Sequence, residues 1–168
     1  MKKTIKKILV ANRSVPAVRV MHTCRDRKIP TIAVYSAPDR LAHHVFMADE
    51  AVPIGEAPPS ESYLNKDKMI AAALQNGADA MHPGWGFLAE NADFAQMVID
   101  AGLTWIGPPP AVIRALGDKI GAKALAKKAG VPTIPGIDAV TDIEQIKAWM
   151  DEDLPLPELS EVDVIRHF

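Results

Sequence analysis

LVANRSVPAVRV, residues 9–20, reads as the end of a buried strand, a turn and the start of an amphipathic helix. In nucleotide-binding α/β proteins the first such turn is usually rich in glycine, because glycine lets the backbone close on a phosphate. Here the turn is Asn12-Arg13-Ser14-Val15-Pro16. Proline is tolerated in a first helical turn, where its missing N–H has no intrahelical partner, and Ser14 is expected to cap the helix. The stretch therefore predicts a β–α unit without a dinucleotide fingerprint.

The same alternation continues in both directions. KKILVA forms the first strand, and the helix after it places Ala17, Val20, Met21 and Cys24 on one face. TIAVY, AVPI, ADAMH and LTWIG are expected as the next four strands. Between them lie a helix through Met69, Ile70, Ala73 and Leu74 that stops near Gly77, and another through Phe94, Ala95, Val98 and Ile99 capped by Asn91. Strands separated by helices need crossover connections, so the expected fold is α/β with a mainly parallel sheet and helices on both faces.

Composition narrows the classes of function. The 168 residues, 48% of them hydrophobic, suffice for one domain or one domain and part of another. The 19 basic and 21 acidic residues are mixed along the chain and sum to a net charge of −2, so no basic footprint for nucleic acid stands out. Cys24, the single cysteine, excludes an internal disulfide and a thiolate metal cluster. Lys2, Lys3, Lys6 and Lys7 precede an apolar run, but that run ends at Asn12, short of the about 7–15 residues of a signal-peptide core. No stretch approaches the roughly 18 apolar residues of a membrane span, and a cytoplasmic location is the expectation.

In open parallel sheets, ligands sit outside the carboxyl ends of the strands. The segments there are NRSVP, SAPDR, HPGWGFLAEN and GPPP. The third is the richest. Gly84 and Gly86 permit close backbone approach, Trp85 offers a flat apolar face, and His82 and Glu90 offer hydrogen bonds and titratable groups. The alternative is a half-buried strand-end histidine with Trp85 in the core. His43 and His44 are adjacent and point apart on a helix, and no metal is assigned to them.

Together KKILVANR, AVRV, TIAVYS, ADEAVPIG, SYLN, GADAMHPGWGFLAENADFA, IGP and IRALGDKIGAKALAKKAGVPTIPG resemble, in order and spacing, the amino-terminal domain of biotin carboxylase over about residues 3–150. The resemblance implies a Rossmann-like, pre-ATP-grasp domain in enzymes that use ATP and bicarbonate to carboxylate biotin. It implies three regions: 1–116 as that domain, 117–150 as the helical start of an ATP-grasp domain, and 151–168 as an acidic, proline-containing tail that departs from the family. Lys119 matches a lysine that approaches the ATP phosphates. His82, Gly84, Trp85, Gly86 and Glu90 match the segment beside the carboxylation site, with Trp85 standing where bacterial members generally carry tyrosine near the biotin. Arg19 matches a basic position of the family's dimer contact, and His22 stands where a second basic residue is expected. Family members usually read NRGEIA where this chain reads NRSVPA, so a glycine, a glutamate and an isoleucine are replaced by Ser14, Val15 and Pro16.

A last helix, carrying Ile143, Ile146, Trp149 and Met150, is expected after Pro132. The glycine-rich loop and paired magnesium-binding glutamates of a complete ATP-grasp domain do not occur in the 168 residues. LPELSEVDVIRHF is instead similar to a segment near the start of the second subunit of glycine decarboxylase, a pyridoxal-phosphate enzyme, and hints at a truncation, a fusion junction or a recombined product. ATP, magnesium and biotin are thus expected only in a complete enzyme, with nothing tightly bound to this chain. Three readings follow: part of a biotin carboxylase that is inactive alone, whether a homodimer or docked on an ATP-grasp chain; a non-catalytic module docking on a carboxylase through Arg19 and His22; or an independent nucleotide binder, which the glycine-free first turn disfavours.

Overall fold

Period-two alternation in the short apolar runs sends neighbouring side chains to opposite sides of a sheet, and each side needs a helical cover. A computed structural model of the chain, which describes residues 4–134 together with 143, 144 and 147, has this arrangement. The chain divides into two compact units, Met1–Gly117 and Asp118–Phe168. In the first, strands β1 (Ile8–Val10), β2 (Thr31–Ser36), β3 (Glu50–Gly55), β4 (Ala80–His82) and β5 (Thr104–Trp105) form one parallel sheet in the order β3-β2-β1-β4-β5. Helices α1 (Ser14–Asp26), α2 (His43–Met47), α3 (Lys66–Gln75), α4 (Ala92–Asp100) and α5 (Pro110–Leu116) connect or follow the strands.

One core contains Leu9, Ile32, Val34 and Met81 from the strands, packed with Met69 and Ala73 of α3 and Phe94 and Val98 of α4. The other contains Ile8, Val10, Ala33 and Ala80, packed with Ala17, Met21 and Cys24 of α1. Odd and even strand residues thus separate as the alternation predicts. Leu74 and Ile99, expected on the inward faces, are instead 50% and 43% exposed. Each stands at the margin of its helix's buried face, which is formed by Met69, Ala72 and Ala73 in α3 and by Phe94, Ala95 and Val98 in α4. Pro53 lies in β3, an edge strand, where a missing N–H removes no ladder bond on the open side.

Asn91 caps α4 by accepting from the Phe94 N–H at 2.8 Å. Ser14 does not cap α1. The N-cap position belongs to Arg13, no side chain caps it, and Ser14 sits in the first turn with φ +53°. This left-handed backbone suits the glycine that the resembling sequences carry there. Ser14→Gly is therefore expected to stabilise the chain by about 0.5–1 kcal/mol, the relief of strain exceeding the extra unfolded-state entropy, as read by its urea midpoint. An unchanged or lower midpoint would refute that strain.

In the second unit, α6 (Lys119–Lys128) is capped by Asp118, whose carboxylate accepts from the Gly121 N–H at 2.7 Å. No α6 residue is buried, and Ile120 and Leu125 are close to half exposed. Ile146, Trp149 and Met150 of the expected last helix, and the tail from 151, lie outside the described residues. No described helix is long and apolar enough to cross a membrane.

Candidate functional site

The strand order reverses between β1 and β4, so the connections leaving their carboxyl ends run to opposite sides and open a crevice there. Two loops meet at this point: Asn12–Arg13 after β1 and the segment from His82 to Asn91 after β4. Asn12 fills the gap. It is 1% exposed, and its Nδ2 donates to the carbonyls of Pro83 and Trp85, both at 2.8 Å. Its Oδ1 accepts from the Arg13 N–H at 2.9 Å. A side chain thus occupies the place where a glycine-rich turn would admit a pyrophosphate.

Gly84 makes that closure possible. Its φ is +67°, and an added Cβ would lie 2.7 Å from Asn12 Nδ2 and 2.9 Å from Asn12 Cβ. The Gly84 N–H donates to Nδ1 of His82 at 3.0 Å, so this nitrogen is unprotonated and any ring proton resides on Nε2. Burial lowers the His82 pKa, which favours the same neutral ring. Gly86, φ +74°, and Phe87, φ +45°, continue the tight turn. Trp85 at its tip is 78% exposed, so the core reading of this residue does not hold. Glu90, also exposed, ends the loop.

A second cluster, not singled out from the sequence, ties this edge together. Asp39 is 8% exposed; its Oδ1 meets an Arg13 guanidinium nitrogen at 2.8 Å, while its Oδ2 accepts from Tyr63 Oη at 2.7 Å and Ser36 Oγ at 3.0 Å. The Tyr63 oxygen in turn accepts from the Ser36 N–H at 3.1 Å. The ring of Tyr63 stacks on Phe87, centroids 5.0 Å apart, and the Arg13 guanidinium lies 5.7 Å from its centroid. Segments from four different connections are joined in this way. Spacing gave no signal for it, because the partners are brought together by the crossovers.

Burial first, and then the hydrogen bond to Asp39, push the Tyr63 pKa up to about 12. A phenol whose folded pKa exceeds its unfolded value near 10 contributes stability that is fully present below about pH 10 and lost as pH rises through about 12. Absorbance titration at 295 nm is therefore expected to show a late tyrosine phase near pH 12 that Tyr63→Phe removes. A late phase surviving that substitution would contradict the assignment.

His44 is fully buried; its Nε2 donates to the Val34 carbonyl at 3.1 Å, and its Nδ1 accepts from the Ser14 N–H at 3.4 Å. Burial lowers its pKa, and both ring nitrogens have structural partners. His43 lines a separate groove with Arg19 and His22. Of the residues selected from the sequence, then, His82, Gly84, Trp85, Gly86 and Glu90 share one loop at the crevice. Arg19 and His22 lie on the outer side of α1, and Lys119 is exposed on α6 in the second unit.

The family described as biotin carboxylase, N-terminal domain, matches residues 4–113. The alpha3 subunit of a biotin-dependent acyl-coenzyme A carboxylase from Mycobacterium leprae is 52% identical over 149 residues, 88% of this chain and 25% of that protein. Among solved structures, the biotin carboxylase domain of a single-chain bacterial carboxylase aligns with a TM-score of 0.81 at 39% identity, covering 86% of this chain and 34% of that one. The biotin carboxylase domain dimer of Hydrogenobacter thermophilus 2-oxoglutarate carboxylase, solved with MgADP, ADP and bicarbonate, aligns with a TM-score of 0.80 at 46% identity, covering 88% and 32%. The chain thus spans about a quarter to a third of the length of the proteins it matches here.

Proposed function

The chain belongs to the biotin carboxylase N-terminal domain family, and from that premise we propose that it supplies one part of an ATP- and bicarbonate-dependent biotin carboxylase in the cytoplasm. The observation that carries this reading is the family match over residues 4–113, nearly the whole of the first unit and including both loops of the β1–β4 crevice. In the reading, the Pro83–Glu90 loop forms one wall of the biotin side of a composite site, with the Trp85 ring available to lie against the substrate. Asn12, Arg13, Asp39 and Tyr63 hold that wall in place and take no part in the chemistry.

Residues 117–150 would open the ATP-grasp domain, with Lys119 placing an ammonium beside the ATP phosphates. The donor set fits a contribution to that site and not the whole of it. In this reading the magnesium and the phosphates are held mainly by residues of an ATP-grasp chain, and the described residues here contain no group of three His, Cys, Asp or Glu able to hold a metal ion. ATP bound there supplies the activated phosphoryl group for bicarbonate; this chain binds and orients, and the 168 residues by themselves are inactive.

The test is complementation. The chain is mixed with the separately expressed remainder of a related biotin carboxylase, and ATP-dependent carboxylation of free biotin is followed. Neither piece alone is expected to turn over, the mixture is, and Lys119→Ala lowers the restored rate at least tenfold. A stable complex of the two pieces that stays inactive would overturn the proposal.

A further inference from the structure

The turn after β1 and the loop after β4 enclose an open pocket of about 300 Å³ between them. Pro16 contributes to it from the first turn of α1, and Trp85 and Phe87 from the loop. Pro16 is half-buried, whereas Trp85 projects into solvent beside it. The polar side chains of the lining are engaged elsewhere. Asn12 donates to the Pro83 and Trp85 carbonyls and accepts from the Arg13 N–H, and the Arg13 guanidinium is held by Asp39 Oδ1 against the Tyr63 ring. The pocket therefore offers a ligand mainly apolar contact, and little with which to bind a urea group or a carboxylate.

Positions 16 and 85 lie far apart in the chain, and at both of them the sequence departs from the sequences it resembles. Pro16 stands in place of isoleucine and Trp85 in place of tyrosine. One side chain is smaller and the other larger, and the fold brings the two to one pocket. Opposite changes of volume at neighbouring positions conserve packing, which makes the two replacements complementary.

We infer that Pro16 and Trp85 act as one specificity-determining pair, and that the pocket they line takes the apolar, thioether-ring side of biotin with the polar ureido edge turned away. A flat indole and a rigid pyrrolidine give area for such a ring at little cost in side-chain entropy. The inference rests on the reading of the Pro83–Glu90 loop as the biotin side of a composite site, and adds to it Pro16 and the part of the substrate that is recognised.

The chain is combined with the separately expressed remainder of a related biotin carboxylase, and biotin is titrated without ATP while indole emission is followed. Emission is expected to move to shorter wavelength as the exposed Trp85 is covered, and Trp85→Phe to abolish the shift. Pro16→Ala and Trp85→Ala are each expected to raise the dissociation constant for biotin about tenfold, and with ATP and bicarbonate to raise KM about as much while kcat stays within about twofold. The double variant should be about as weak as either single one, because losing one wall already opens the pocket. Desthiobiotin, which keeps the ureido ring and lacks the sulfur, is expected to bind the parent complex about tenfold more weakly than biotin, a difference that both substitutions erase. A structural role alone would weaken both ligands equally. Equal losses for the two ligands, additive losses in the double variant, or a fall in kcat at unchanged KM would overturn the pair and leave the carboxylation reading standing. Should the complex bind biotin without turning it over, the binding data decide the pair alone, and a stable complex that neither binds nor carboxylates biotin would overturn both.

Discussion

Gly84→Ala is expected to lower the unfolding free energy of the chain by about 2–4 kcal/mol, read as a fall in urea midpoint at unchanged slope. Two effects add. A non-glycine residue at φ +67° carries a left-handed penalty of about 1–2 kcal/mol. The new Cβ would also stand 2.7–2.9 Å from Asn12 Nδ2, Cβ and Cγ, and Asn12 cannot yield cheaply, because its amide holds the Pro83 and Trp85 carbonyls in a buried position. Displacing it leaves polar groups unpaired at about 1–3 kcal/mol. Gly86 separates the two effects: its φ is +74°, but an added Cβ meets nothing within 4 Å. Gly86→Ala should therefore show the backbone penalty alone. In an Asn12→Ala background, Gly84→Ala should fall toward the same smaller value, a coupling that a double-mutant cycle reads directly. If Gly84 and Gly86 substitutions prove equal, the Asn12 contact contributes nothing and the crevice is not closed as described.

That contact also marks the border between what the residues announced and what only the three-dimensional arrangement supplied. The strands around Leu9, Ile32 and Met81 were legible because each is a short apolar run bounded by turn residues, and Asn91 was legible as a cap because a short polar side chain precedes its helical run. Ser14 had the same chemistry and failed, because capping depends on an extended backbone and Ser14 has φ +53°. The site divides in the same way. His82 to Glu90 are contiguous, so one motif contained them all. Asn12 reads in the sequence only as the first residue of a turn, and Asp39 and Tyr63, 24 residues apart, belong to different connections. Only the crossovers bring them to one edge. The exposed Trp85 was equally compatible with a core role until the turn at Gly84 and Gly86 directed it outward.

Asp39→Ala is expected to destabilise the chain by about 3–5 kcal/mol, toward the lower end because Arg13 is 46% exposed and can turn to water. The larger part of the loss falls on the groups that cannot turn. Ser36 Oγ and Tyr63 Oη both direct hydrogens at the missing carboxylate, Tyr63 is 2% exposed, and no water-facing rotamer is open to a ring stacked on Phe87. Asp39→Asn keeps the volume and one acceptor for Tyr63, but aims an amide or a neutral oxygen at Arg13, so it should fall between Ala and the parent chain. Tyr63 reports the same event independently. Asp39 raises its pKa through both the hydrogen bond and its charge, whereas burial, the larger cause, remains. In Asp39→Ala the late tyrosine phase should therefore move down from about 12 and yet stay above the ordinary value near 10. Hydrogen exchange should quicken together at residues 36–41 and 83–91, because the carboxylate links both through Tyr63 and Phe87. Faster exchange at 36–41 alone would show that the carboxylate secures its own turn and leaves the Trp85 loop to Asn12.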